Sequence, residues 1–260
     1  AIINTDSKHS EFFLRICKKK KLKILDFGKR AKFLKINSIK KNPTGFTVIM
    51  EFKKTKFSLD FECTSIFEIY NKICSLILVF ENNLKIKNLE LLKKLKNPIG
   101  RLERIYDKKK IKVFVDYAHT PSALNNVLSS LKKITKGKLF CVFGCGGDRD
   151  KAKRNLMTRE AIKFSDKVII TDDNPRFEDP LKIRNEMLKN LNKNQLYKTK
   201  QIGDREKAIQ FSIGLLKKND TLLIAGKGHE TFQIVKDAKI HFNDKKIALK
   251  FLEEKWVCGV

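Results

Sequence analysis

Apolar and polar positions along this chain follow two rhythms. From about residue 32 to 62 they alternate, in "KFLKI", "GFTVIMEF" and "KFSLDFEC", and a period of two marks strands with one buried face. Asn42-Pro43-Thr44-Gly45 interrupts the pattern, so antiparallel strands joined by a turn are expected there. Apolar residues then recur every three or four positions over residues 66–80, which predicts a helix. Within it, "CSLILVF" at 74–80 reads as a buried helix or strand segment, because a bilayer span needs about 18–20 apolar residues. A Lys/Asn-rich helix is expected next, ending near Asn97-Pro98-Ile99-Gly100, a punctuation that sets a domain boundary. Residues 1–99 are thus assigned to one domain and 100–260 to a second. The opening "AIIN" is a strand running straight into polar loop, and domains do not normally begin inside a strand, so Ala1 is expected not to be the true start.

Beyond the boundary, continuous apolar runs at 112–117, 138–144, 167–173 and 221–226 alternate with helical stretches near 122–133, 154–164, 180–191 and 204–218. Unbroken apolar strands separated by helices predict a parallel sheet covered on both faces, an α/β domain of Rossmann-like type. In such sheets the ligand crevice lies beyond the strand C-termini.

Composition narrows the picture a little further. At 42% hydrophobic residues the chain can bury a core, so wholesale disorder is excluded. The formal net charge of +28 raises nucleic acid as a partner. Lysine is spread through every segment with no basic stripe interleaved with aromatics, so the excess reads as solvated surface that favours anionic substrates. No signal peptide or membrane span is evident at the sequence level. Cys17, Cys63, Cys74, Cys141, Cys145 and Cys258 form no CxxC pair, which fits small core hydrophobes in a reduced, cytoplasmic setting.

The unusual residues fall at the predicted strand ends. Asp116 and His119, in Asp116-Tyr117-Ala118-His119-Thr120-Pro121, either position a nucleotide or phosphate or simply cap the turn before a helix started by Thr120 and Pro121. Gly144-Cys145-Gly146-Gly147-Asp148-Arg149-Asp150 lets the backbone bend and turn amides toward an anion, and Arg149 can take a carboxylate in two parallel hydrogen bonds. It is not a phosphate loop, since no GK[ST] follows. Asp172-Asp173-Asn174-Pro175-Arg176 sets carboxylate, amide and guanidinium beside a rigid proline, a set that suits an amino acid's ammonium and carboxylate; a solvated loop is the plainer alternative. Gly226-Lys227-Gly228-His229-Glu230 is either a close backbone approach to a ligand, with Glu230 for a second ammonium, or a common tight turn. His9 and His241 read as surface residues.

Taken in order, "DYAHTP", "VFGCGGDRDKAKR", "TDDNPRFEDP", "GDREKAI" and "LLIAGKGHETFQI" resemble the C-terminal half of the Mur ligases, densely over about residues 100–245 and sparsely before. The branch most resembled adds meso-diaminopimelate to UDP-MurNAc-L-Ala-D-Glu in peptidoglycan precursor synthesis. The resemblance implies that Arg149, Asp173, Asn174, Pro175, Arg176, Gly226 and Glu230 bind diaminopimelate, with Arg176 on the carboxylate that lysine lacks. It implies that Asn71, Arg101, Asp116 and His119 lie near ATP, and that residues 1–99 are the end of the family's central ATP-binding domain. "SIFEIYN" departs from the family's G-x-F-N-x-x-N, with Ser65 for the glycine and Glu68 for the first asparagine.

The family's phosphate loop, its Mg2+ ligands, its carbamylated lysine and the uridine-nucleotide domain are expected upstream of Ala1, so no catalytic or metal-ligating residue is assigned here. The implied chemistry is an ATP-dependent amide ligation: the nucleotide substrate's γ-carboxylate becomes an acyl phosphate, and the incoming amine displaces phosphate. The expected partners are UDP-MurNAc-L-Ala-D-Glu, meso-diaminopimelate and ATP, with no specific nucleic acid, no membrane and a monomeric state. The alternatives are another amino-acid ligase of the same fold (lysine-adding, or of the polyglutamate or cyanophycin type), or an inactive fragment acting as a basic binding module.

Overall fold

The computed structural model describes residues 1–257, which divide between Lys96 and Asn97 into two compact units. In the first unit, β1 (Ile2–Asn4), α1 (Ser10–Lys19), β2 (Leu25–Gly28), β3 (Leu34–Lys41), β4 (Phe46–Phe52) and β5 (Thr55–Phe61) precede α2 (Ile66–Phe80) and the single turn α3 (Leu91–Lys94). Its sheet runs β1-β2-β3-β4-β5. The first three strands are parallel, and β3 to β5 form the antiparallel meander that the alternation predicts. Val48, Met50 and Phe52 of β4 and Leu59 and Phe61 of β5 are buried on one face, as a period of two requires. In the turn, the Asn42 side-chain oxygen accepts from the amides of Thr44 and Gly45 at 3.1 and 2.6 Å. Ile69, Ile73, Leu76 and Ile77 form the buried stripe of α2 and join the same core.

The Lys/Asn-rich helix expected after residue 80 does not form. The chain instead makes 3-10 turns at Glu81–Asn83 and Ile86–Glu90 before the four residues of α3. Asn favours local side-chain bonding over a helix, and the good helix formers around it lack an apolar stripe to pack, since only the isolated Leu84, Leu89 and Leu92 are buried here. Conversely, α1 and β2 are elements that the sequence reading did not anticipate, although Phe12, Phe13, Ile16 and Cys17 of α1 do recur at helical spacing.

The second unit contains β6 (Glu103–Lys108), β7 (Ile111–Asp116), α4 (Pro121–Ile134), β8 (Leu139–Phe143), α5 (Lys153–Phe164), β9 (Lys167–Ile170), α6 (Pro180–Leu188), α7 (Lys193–Tyr197), β10 (Thr199–Gln201), α8 (Arg205–Leu215), β11 (Thr221–Ala225), the β12 (Phe232–Val235) and β13 (Ala238–His241) hairpin, and α9 (Asp244–Val257). Its six-stranded sheet runs β10-β9-β8-β11-β7-β6, parallel throughout except that edge strand β6 is antiparallel to β7. β8 and β11 are buried at every position, which is why they read as unbroken apolar runs. Alternate residues such as Val113, Val142, Ile169 and Ile224 pack with Ile209, Ile213, Ala248 and Leu252 of α8 and α9. Thr120 and Asp179 cap helices whose first residue is proline, and Asp204 caps α8. Strand β9 stops at Ile170, three residues before the expected end, and leaves Thr171–Asp173 free to bend into the site.

Strand register decides where the loops begin. Ala225 pairs with both Asp116 and Phe143, and Phe143 pairs with Ile170. Four strand ends therefore finish level, and the loops leaving them start side by side. Among the described residues no helix is long and apolar enough to cross a membrane. Cys17, Cys141 and Cys145 are buried, Cys63 and Cys74 are half-buried, and Cys258 lies outside the described residues. Burial pushes the Cys63 and Cys145 thiols up to about 12, as for inert packing groups.

Candidate amino-acid site at the strand ends

The loop after β9 and the loop after β11 are joined through one buried asparagine. Asn174 Oδ1 accepts from the Lys227 ammonium at 2.9 Å and from the Ile234 amide at 3.0 Å. With the oxygen so committed, Asn174 Nδ2 faces Glu230 Oε2 at 3.0 Å. Glu230 Oε2 also takes Lys227 Nζ at 2.9 Å. Lys227 is wholly buried, so at the end of an apolar strand its charge is answered by that carboxylate. Burial raises the Glu230 pKa, but Lys227 and Asn174 outweigh it and hold the carboxyl below its usual range.

Asp173 accepts from the Asn174 amide at 2.7 Å through Oδ1. Its Oδ2 crowds Gly226, where a β-carbon would lie 2.8 Å away at a φ of +111°, so only glycine fits. Burial pushes Asp173 above the ordinary carboxylate range, with Arg205 and Lys227 opposing.

Arg176 sits in the left-handed region with φ of +51°, unusual for a long side chain. Its backbone is held there by the hairpin, donating to Ile234 O at 3.1 Å and accepting from Lys236 N at 2.8 Å. Its guanidinium reaches the Gly147 carbonyl at 2.8 Å. Arg149 is exposed, with Nη1 donating to Asp148 O at 3.1 Å. The two arginines flank Gly146: a β-carbon there would lie 2.9 Å from Arg176 Nη1 and 3.9 Å from Arg149 Cγ. Pro175 is buried, and its carbonyl would stand 1.9 Å from a β-carbon on Gly147. Gly147 N donates to Asn174 O at 2.9 Å, so this amide locks loop to loop instead of facing an anion.

Beneath these loops lies Arg154, wholly buried, which donates to both oxygens of Glu178 at 3.0 and 2.9 Å and to Glu186 at 2.6 Å. Glu178 in turn accepts from Asp148 N at 2.6 Å. The guanidinium therefore ties the glycine loop to the Asn-Pro-Arg loop.

Asp116 is buried and accepts from Ala118 N of its own turn at 2.6 Å and from Leu102 N, just before β6, at 2.5 Å. Burial raises its pKa against those two bonds. His119 is exposed, its Nδ1 2.8 Å from Tyr117 O. Around Tyr117 gather His119 at 4.7 Å and His229 at 5.2 Å between ring centroids, and the Arg101 guanidinium 4.4 Å from the ring centre. This cation–aromatic cluster brings together Arg101 and His119, while Asp116 serves the turn beside it. Asn71 stands exposed on α2 in the first unit, its carbonyl taking the Ser75 hydroxyl at 2.9 Å.

Sequence reasoning assigned no role to Lys227, Tyr117, His229 or Gln233, whose side chain donates to Asp173 O at 2.7 Å. For Lys227 no sequence signal existed, since lysine is almost never fully buried unless it is paired. Among the described residues no group of three or more His, Cys, Asp or Glu side chains is placed to hold a metal ion.

Residues 100–228 match the family model described as Mur ligase, glutamate ligase domain. Over 255 residues the chain is 40% identical to the UDP-N-acetylmuramoyl-L-alanyl-D-glutamate--2,6-diaminopimelate ligase of Rickettsia typhi, covering 97% of this chain and 50% of that protein. The enzyme of the same name from Prochlorococcus marinus is 44% identical over 219 residues, covering 82% of this chain and 42% of its own length. A solved structure of a ligase with that name is 32% identical, with a TM-score of 0.63 over 98% of this chain and 53% of the other. Folylpolyglutamate synthase from Mycobacterium tuberculosis, solved with ADP and AMPPCP, shares the fold at 16% identity, with a TM-score of 0.68 over 87% of this chain and 52% of the other. The chain belongs to the Mur ligase family, and the match to the family's glutamate ligase domain falls within the second unit. It spans about half the length of the curated relatives it matches.

Proposed function

We propose that this chain is the amino-acid-binding part of an ATP-dependent C–N ligase that adds meso-diaminopimelate to UDP-MurNAc-L-Ala-D-Glu in peptidoglycan precursor synthesis. On this reading, residues 1–99 are the end of the central ATP-binding domain. The observation that carries it is the meeting of Arg149 and Arg176 around Gly146, beside Asp173, Asn174 and Glu230. Those groups offer guanidinium donors for carboxylates and acid oxygens for ammonium, the two needs of an amino acid that is charged at both ends. The names borne by relatives at about 40% identity point the same way.

The chain's own residues hold and orient the amine donor. The free amine attacks the acyl-phosphate carbonyl, the C–N bond forms, and phosphate leaves with the electron pair of the broken bond. Fixing the donor converts an encounter in solution into a positioned attack, the main contribution such a pocket makes to rate. Within the second unit, Arg101 and His119, gathered at Tyr117, are proposed to face ATP, with Asp116 shaping the turn; within the first, Asn71 on α2 is proposed as an ATP-binding residue in its own right. A reduced, cytoplasmic setting goes with this role.

Arg176→Met, made in the complete protein, tests the reading. Losing a guanidinium from a charge-assisted pair costs about 2–5 kcal/mol, so calorimetric affinity for meso-diaminopimelate should fall at least about 30-fold. Affinity for the nucleotide substrates should hold. Wild-type protein that binds its nucleotides but no diaminopimelate would sink the proposal.

A further inference from the structure

Lys227 is a wholly buried lysine between two glycines, and none of the binding roles proposed for the pocket falls to it. Lysine is almost never fully buried unless it is paired. Here the pairing does more than neutralise. The ammonium takes one oxygen of Glu230, at 2.9 Å, and the only side-chain oxygen of Asn174, at 2.9 Å. Because Asn174 Oδ1 also receives the Ile234 amide at 3.0 Å, the amide group cannot turn over without losing both bonds. Its Nδ2 is then committed to Glu230 Oε2 at 3.0 Å, with one N–H left over. An NH2 group has two donors, and a carboxylate has a second oxygen. The arrangement leaves Glu230 Oε1 and one Asn174 N–H as the remaining acceptor and donor of this pair, and Glu230 is 30% exposed.

Charge gives the same result independently. Arg149, Arg176 and Lys227 set three basic groups against the acids Asp173 and Glu230, so with all five ionised the pocket carries a net single positive charge. Diaminopimelate with its attacking amine unprotonated carries two carboxylates and one ammonium, a net single negative charge. Lysine in the same state is neutral. Removing the Lys227 charge would make the pocket neutral and weaken its preference for the dicarboxylate skeleton.

We propose that Lys227 is the positioning residue of this site: it fixes the Asn174 amide, occupies one Glu230 oxygen, and sets the charge balance that favours diaminopimelate over lysine. This rests on the proposed function, since it concerns the same pocket.

The test is steady-state kinetics of the complete protein with meso-diaminopimelate and with lysine as alternative amine donors. Lys227→Met should raise KM for diaminopimelate about tenfold, the order expected when one unit charge is removed from near an oppositely charged ligand. The kcat should change by less than about threefold, and KM for the nucleotide substrate should hold. The penalty toward lysine should be clearly smaller, so that the preference between the two donors narrows. Lys227→Arg, which keeps the charge, should retain more of that preference than Lys227→Met. An equal penalty toward both donors, a loss confined to kcat, or an unchanged KM in Lys227→Met would overturn the proposal.

Should Lys227→Met not fold, Lys227→Met/Glu230→Gln removes both charges and strands neither. It should fold and bind diaminopimelate more weakly than Glu230→Gln alone, which carries one positive charge more, and equal affinity in the two would equally overturn the proposal. Wild-type protein that turns over no diaminopimelate sinks the functional reading itself. Wild-type turnover with an indifferent Lys227→Met removes only the role of Lys227.

Discussion

Gly147 and Gly214 look alike in the sequence and do opposite things. A β-carbon on Gly147 would lie 1.9 Å from the Pro175 carbonyl, a backbone atom that cannot swing aside, whereas one on Gly214 meets nothing within 4 Å. Gly214 lies in the last turn of α8, where glycine costs backbone entropy and fills no need. Gly147→Ala should therefore destabilise the fold by about 1–3 kcal/mol, as overpacking does, and weaken diaminopimelate binding by displacing the Asn174–Arg176 backbone. Gly214→Ala should stabilise it by about 0.5–1 kcal/mol. Urea denaturation of both variants checks the pair, and two shifts of the same sign would contradict this account. The glycine loop was legible from composition and from its place after a strand. Which glycine is indispensable was not, because the answer depends on a carbonyl from another loop.

At the level of elements, the site rests on an ion pair joining two helices. Arg205, the first residue of α8, and Asp244, the first of α9, are both wholly buried and bond through Nε and Nη2 at 2.8 Å each. The same guanidinium donates to the Ala225 carbonyl at 2.9 Å and to the Asp172 carbonyl at 3.3 Å, the residues just before Gly226 and Asp173. Two strand ends are thereby pinned from below. Asp244→Ala should cost about 3–5 kcal/mol, since it leaves a buried guanidinium without its counter-charge. The apolar pair Arg205→Met/Asp244→Leu should recover most of that loss, because no charge is left stranded. Chemical denaturation of the single and double variants measures this, and a double variant no more stable than Asp244→Ala would refute it. The motif "GDREKAI" drew attention to the start of α8, but its partner lies 39 positions away, on a helix with too little apolar periodicity to be anticipated. The same limit explains α3: a local pattern foretells an element only when one face of it is buried in a continuous stripe.

Across the whole second unit, the parallel sheet was legible because its central strands are buried on both faces, while β10, with three residues, and the exposed β13 had no such signature. Legible too was the clustering of chemistry at strand ends; the cross-loop bonds of Lys227 and Arg154 were not, since they depend on register between strands far apart in the chain. Those bonds leave a trace in how stability depends on pH. The hydrogen bonds from Arg154 above all, with the Asp148 amide and the charges of Arg154 and Lys151 adding and burial opposing, bring Glu178 from the ordinary 4.5 down to about 2. A carboxyl with a depressed folded-state pKa contributes stability that is fully present above its unfolded value and is lost as pH falls through the folded one. Glu178→Gln should therefore be less stable than wild type above about pH 4.5, and the gap should close toward pH 2. Arg154 keeps Glu186 at 2.6 Å in the variant, so its guanidinium is not orphaned and the fold should persist. Asp116, Asp172 and Asp173, which burial moves upward, act with the opposite sign, but they are present in both proteins and cancel in the difference. Urea midpoints of the two proteins across this range decide it: a constant gap down to pH 2 would mean that the Arg154 bridge binds Glu178 no better as a carboxylate than as a neutral amide.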